Sequence, residues 1–143
     1  MGKELYFEDV NVGDELPPLV KEPITRVQIV RYAGASGDFN ALHFDDEIGK
    51  RAGMGGIIAH GMLIMGFAGQ AVTQWFPRKY LRNFGARFVG MSKLGEGITV
   101  KGTVTKKGQE NGENIVLGTL VVCGQDGSIK INGDFKVALP NKA

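Results

Sequence analysis

The segment from about His60 to Phe76 constrains the fold of this chain more than any other. Met62, Leu63, Ile64, Met65, Phe67, Ala68, Ala71, Val72 and Trp75 place apolar groups almost all the way round a helix. A helix with no polar face is normally buried on all sides. Gly61, Gly66, Gly69 and Ala71 are small enough for other backbone to approach closely, and Pro77 ends the run. From Asn83 the pattern changes. Residues 86–89, 98–104, 115–122 and 129–137 read as strands, separated by turn-like residues 95–97, 107–114 and 125–128. Successive strands with turn-length gaps predict an antiparallel meander. A buried helix followed by such strands predicts an α+β fold, a long central helix wrapped by a curved antiparallel sheet. The 143 residues suit one domain, 1–143, with no repeat or linker.

The chemistry-bearing residues lie ahead of that helix. Residues 5–24 read as an irregular lead-in, where Pro17-Pro18 forbids a long helix. Thr25 suits the N-cap of a short helix with Val27, Val30, Tyr32 and Ala33 as its apolar stripe, ending near Gly34 or Gly37. Asp38, Asn40 and His43 then fall within six residues. A carboxylate, an amide and an imidazole beside a turn are what a proton-transfer site needs. Asp45 suits the N-cap of another short helix over residues 46–52, which Gly53, Gly55 and Gly56 break. The chain has only two histidines, and the second, His60, opens the central helix.

Composition excludes several classes. Net charge is +2 with no basic run, so nucleic acid is a poor partner. No apolar run reaches roughly 18 residues, so no membrane span is expected. The Met1–Tyr6 stretch lacks a signal-peptide core and the Ser or Thr of a myristoylation site. The single Cys123 forms no internal disulfide and is expected to be a small buried apolar group. A reducing cytoplasm is the expected compartment.

Residues 32–45 stand as Tyr32-Ala33-Gly34-Ala35-Ser36-Gly37-Asp38-Phe39-Asn40-Ala41-Leu42-His43-Phe44-Asp45, with Ala59-His60-Gly61-Met62 downstream. This pattern resembles the signature of the MaoC-like hydratase/dehydratase family of the (R)-specific enoyl hydratase, or hydratase-2, type. It is also similar to the catalytic subunit of the actinobacterial β-hydroxyacyl-carrier-protein dehydratases. Two positions depart from the family pattern. Ala41 stands where a proline is usual, and Leu63-Ile64-Met65 covers a stretch that often holds a serine.

The resemblance implies a hot-dog fold and a hydro-lyase. Its reaction would be hydration of trans-2-enoyl thioesters, or dehydration of (R)-3-hydroxyacyl thioesters, on coenzyme A or an acyl carrier protein. It assigns an Asp38–His43 dyad acting through one water, with no metal and no redox cofactor. It also counts Asn40 in the site, although a plain Asx turn serves that residue equally well. Gly61 N–H, at a helix N-terminus, is the expected oxyanion donor, and its missing side chain equally permits tight packing. Tyr32 is expected to pack, Ser36 to close a turn, and His60 to shape the site or the helix cap. A metal held by Asp38, His43 and His60 is set aside because the sequence offers no closely spaced His pair. Lys79, Arg82, Arg87 and Lys93 are candidates for the thiol carrier's phosphates or acidic face, or plain surface charge. The resemblance further implies a homodimer joined sheet edge to edge, or a heterodimer with a paralogous hot-dog subunit. The alternatives are a hot-dog thioesterase, disfavoured because the 60–76 helix has no Asp or Glu, and a non-catalytic acyl-binding subunit, which would have lost the dyad.

Overall fold

A computed structural model describes residues 4–143. The elements in chain order are β1 (Glu15–Lys21), α1 (Arg26–Ser36), α2 (Asp46–Arg51), α3 (Gly61–Trp75), β2 (Leu81–Phe88), β3 (Ile98–Glu110), β4 (Glu113–Gly124) and β5 (Ile129–Ala138). The five strands form one antiparallel sheet in the order β1-β3-β4-β5-β2. The helix α3 lies against it and touches every strand. This is the α+β arrangement expected from the sequence.

Burial of α3 organises the core. Ile64, Phe67, Ala68, Ala71 and Val72 are buried on it. They meet Val100, Val122, Ile131, Phe135 and Val137 from the sheet in one apolar cluster. Along β3, Ile98, Val100, Gly102 and Val104 alternate inward, the period of a strand with one face in the core. Each fully buried aliphatic or aromatic side chain contributes about 1.5–3 kcal/mol of transfer free energy. The C-terminal end of α3 is fixed by Trp75, whose indole N–H donates to the Pro17 carbonyl at 2.6 Å.

The structure corrects several expectations. Residues 5–24 are not irregular throughout, because β1 forms across Pro17-Pro18. It is an edge strand, and its register with β3 shifts between Leu16 and Leu19, so the prolines break no interior ladder. Residues 107–114 are mostly strand, with a tight turn at Asn111 and Gly112, both at positive φ (52° and 77°). Only β3-β4-β5 is a meander, since β2 crosses to the far edge and pairs with β5. On α1 the buried residues are Ile29 and Ala33, whereas Val27 and Val30 are exposed. The helix α3 is not buried all round, for Met62, Gly66, Gln70 and Thr73 face solvent. Cys123 is half-buried. No helix among the described residues is long and apolar enough to cross a membrane.

Gly118 on β4 pairs with Phe135 on β5. A Cβ there would lie 2.1 Å from the Phe135 ring and 2.7 Å from the Thr103 carbonyl oxygen. Phe135 is 1% exposed and has nowhere to move. Gly118→Ala is therefore expected to destabilise the fold by about 1–3 kcal/mol, as overpacked cores do. A lowered urea midpoint with unchanged slope is the measurement, and a wild-type midpoint contradicts the packing described.

Candidate active site

Local hydrogen bonding shapes residues 36–45 before any tertiary contact acts. The helix α1 starts at Thr25, whose side chain accepts from Gln28 N–H. It stops at Gly37, which has φ of 74° and donates its N–H to Ala33. Three side chains then each accept an N–H two residues on. Ser36 Oγ accepts from Asp38 (3.2 Å), Asp38 Oδ1 from Asn40 (3.2 Å), and Asn40 Oδ1 from Leu42 (3.0 Å). These serial turns carry the chain into a single 3-10 turn, Ala41–His43. Asp45 then caps α2 by accepting from Glu47 and Ile48.

The turns consume one oxygen of Asp38 and leave the other free. Asp38 Oδ2 lies 3.7 Å from His43 Nε2. The opposite ring nitrogen, His43 Nδ1, is 2.8 Å from the Ile58 carbonyl oxygen. A carbonyl only accepts, so Nδ1 carries a hydrogen, and Nε2 is the ring nitrogen that faces Asp38. The Asp38 side chain is half-exposed and that of His43 nearly enclosed. The pair therefore has one wet and one protected member.

Ile58 is itself held from two sides. Its N–H donates to Leu42, and it bridges to Lys93. Next to it, Ala59 N–H donates to Ser92 and Ile57 N–H to the Asp46 carboxylate. Asp46 also pairs with Arg26 of α1 at 2.9 Å. Gly49 makes this possible, since a Cβ there would fall 2.0 Å from the Gly56 carbonyl oxygen.

The segment ends at His60, the residue before α3. Its ring stacks on His43 with centroids 3.7 Å apart. Tyr32 packs on it, as expected. Gly61 opens α3, and the first intrahelical bonds run from Leu63 and Ile64 to the His60 carbonyl. The Gly61 and Met62 amides lie ahead of those bonds, and the His60 side chain does not cap them. Phe88 of β2 lies beside Gly61, where a Cβ would meet its ring at 3.3 Å. No sequence signal placed Phe88, read only as a strand residue, or the Ile58 carbonyl at the site. Both come from the loop and sheet contacts that fold residues 57–60 and 88–93 together.

Asp38, His43 and His60, set aside as a metal set, do come together, with ligand-type atoms within 4.8 Å of one another. The two imidazoles are nearly parallel, at 24°. Rings stacked in this way offer their lone pairs in separate, nearly parallel planes, a poor arrangement for holding one ion. Of the basic candidates, Arg82 is engaged with Glu113 and Lys79 with Glu4. Arg87 and Lys93 are exposed and have no acidic partner among the described residues.

Residues 10–123 match the family model described as MaoC like domain. The chain belongs to the MaoC-like domain family. Among curated proteins it is 28% identical over 138 residues to an (R)-specific enoyl-CoA hydratase of Rhodospirillum rubrum, covering 94% of this chain and 92% of that one. It is 33% identical over 73 residues to a 3-hydroxybutyryl-CoA dehydratase of Methylorubrum extorquens, covering 51% of this chain and 45% of that one. Among solved structures, an unliganded R-hydratase of Pseudomonas aeruginosa superposes with a TM-score of 0.83 at 23% identity, covering 97% of this chain and 88% of that one. That likeness shows the hot-dog fold.

Asp46 ties α1, α2 and the 57–60 segment together. The Ile57 amide first, and then the Arg26 guanidinium, hold its carboxyl below the usual carboxylate range. A group depressed in the folded state adds stability that is present above its unfolded value and lost as pH falls through the folded one. Asp46→Ala is thus expected to lower the melting temperature at neutral pH, with the gap to wild type narrowing below about pH 4. Thermal melts at pH 7 and pH 3 check this, and an equal gap at both contradicts it.

Proposed function

We propose that this protein is an (R)-specific hydro-lyase that adds water to trans-2-enoyl thioesters and removes it from (R)-3-hydroxyacyl thioesters. The observation that carries the reading is the Asp38 Oδ2 to His43 Nε2 separation of 3.7 Å, with the remaining atom of each group already bonded to backbone. The separation is too long for a good direct hydrogen bond and suits two groups addressing one water. In hydration, that water loses a proton to the pair as its oxygen attacks C3. A proton returns to C2, and the thioester oxygen carries negative charge between those events. The Gly61 amide, at the positive end of α3, is the donor for that oxygen. Asn40 acts one step back, because its side chain holds the turn that delivers His43. The same groups run dehydration in reverse, and no oxidation or reduction is involved.

Family membership supports this reading, as do relatives whose names specify hydration or dehydration of acyl-CoA. The thioesterase alternative is weaker, because α3 carries no carboxylate. Exposed Phe39 and Phe44, next to the pair in sequence, and exposed Met62 and Phe88, at Gly61, suit an acyl group. Arg87 and Lys93 suit the phosphates of coenzyme A or of a carrier protein's prosthetic arm. The outer edge of β2 is unpaired in the sheet, and one side of α3 faces solvent. A second hot-dog subunit, identical or paralogous, would cover both.

Crotonyl-CoA hydration, followed by loss of the enoyl thioester absorbance, tests the reaction. Asp38→Asn and His43→Gln are each expected to lower kcat about 10²- to 10⁴-fold with the fold intact. Full activity in both variants removes the pair from the mechanism.

A further inference from the structure

His60 takes part in no step proposed above, yet it is the most enclosed polar side chain of the site, at 1% exposed. Three contacts define it. Its ring lies over that of His43 at 3.7 Å and 24°. Tyr32 of α1 closes another side, tilted at 4.8 Å. Nε2 stands 3.1 Å from the backbone carbonyl oxygen of Asp38. Since a carbonyl only accepts, Nε2 bears the hydrogen and donates it. Nδ1 is buried with no hydrogen-bond partner among the described residues. A leucine or phenylalanine here would avoid that unpaired nitrogen. What an apolar side chain could not supply is a fixed donor to the Asp38 main chain.

We propose that His60 is the positioning residue that keeps the Asp38–His43 pair in register with the Gly61 amide, an inference that rests on the reading of that pair as the proton-handling site. It acts on both members. Residues 38–40 lie outside any regular element, and their local bonds join them only to their own neighbours in sequence. The His60 Nε2–H bond ties this loop to the 57–60 segment, 22 residues away. His43 is pinned at Nδ1 by Ile58, which still permits the ring to pivot about that bond. The flat face of His60 removes the pivot. Because His60 immediately precedes Gly61, both proton-transfer groups are referenced to the same helix end that offers the oxyanion donor. Chemistry that needs water, C3 and the thioester oxygen aligned at once depends on such a common reference, and a displacement of about 1 Å can cost on the order of 100-fold in rate.

Two variants separate the functions of the side chain. His60→Phe keeps a flat ring and loses the donor, whereas His60→Gln keeps a donor and loses the ring. In crotonyl-CoA hydration, His60→Phe is expected to lower kcat about 10- to 100-fold with KM within about twofold, and His60→Gln to fall between it and wild type. Hydrogen exchange of the Asp38 and Asn40 amides is expected to quicken in His60→Phe. Nitrogen-15 spectra of the wild type, with only two histidines to assign, are expected to show Nε2–H for His60 and Nδ1–H for His43. Wild-type kcat in folded His60→Phe, or a hydrogen found on His60 Nδ1, overturns the proposal. If His60→Phe does not fold, wild-type kcat in His60→Gln overturns the stacking role, and the ring spectra decide the donor. If the wild type hydrates no enoyl thioester, the proposed reaction fails. The exchange and ring-nitrogen measurements then still decide what His60 holds.

Discussion

Everything in this structure depends on where α3 can be put. Its fifteen residues carry no charged side chain, so water is a poor environment for most of its surface. The sheet accepts it by thinning its own inner face. Gly102 lies beneath the Trp75 ring and Gly118 beside the Phe135 ring, where a Cβ would come within 2.6 Å and 2.1 Å of them. Small residues on the strands thus make room for large ones at the helix and across it, and the close packing leaves α3 little freedom to slide. A helix fixed in this way has a fixed N-terminus, and the candidate site is assembled around that end.

The site itself is built from polar side chains bonded to backbone. Ser36, Asp38, Asn40, Asp45 and Asp46 all accept main-chain N–H groups, and His43 and His60 both donate to main-chain carbonyls. Such bonds lock rotamers and tautomers at once. They use up one atom each of Asp38 and His43 and decide which atom of each is left unbonded. Asp38 Oδ2 and His43 Nε2 are the atoms of the pair that these bonds leave over. The arrangement needs no strained backbone, for the one non-glycine residue at positive φ among the described residues is Asn111, in a hairpin turn of the sheet.

Local features were the most legible in the sequence. The caps at Thr25 and Asp45 follow from side chains that accept nearby N–H groups, the stop of α1 was narrowed to Gly34 or Gly37, and the apolar run before Pro77 marked the extent of α3. The Asp38–His43 association was legible through the motif rather than through spacing. What was not legible depends on partners distant in sequence. The prolines of β1 suggest irregularity, and only the position of that strand at the sheet edge makes them harmless. Strand order was misread because adjacency in sequence says nothing about the 89–97 crossover, which carries the chain from β2 on one edge to β3 across the sheet. The stacking of His43 on His60 requires the 57–60 segment to fold back over the Leu42 carbonyl, and no periodicity reports that.

Ala41 shows how such a site tolerates departure from its family's pattern. A proline at the first position of the short Ala41–His43 turn would preset φ and give up an N–H that helix starts leave unpaired anyway. Alanine therefore gives up preorganisation and no hydrogen bond. The preorganisation is supplied elsewhere. Asn40 caps the turn, and the Ala41 carbonyl accepts from both Phe44 and Asp45, at 3.2 and 2.8 Å. The His60 bond restrains the loop from outside. A backbone held at several points in this way does not need its conformation written into one residue. The geometry of Asp38 and His43 is a property of the network, and substitutions that leave the network's donors and acceptors in place leave that geometry in place too.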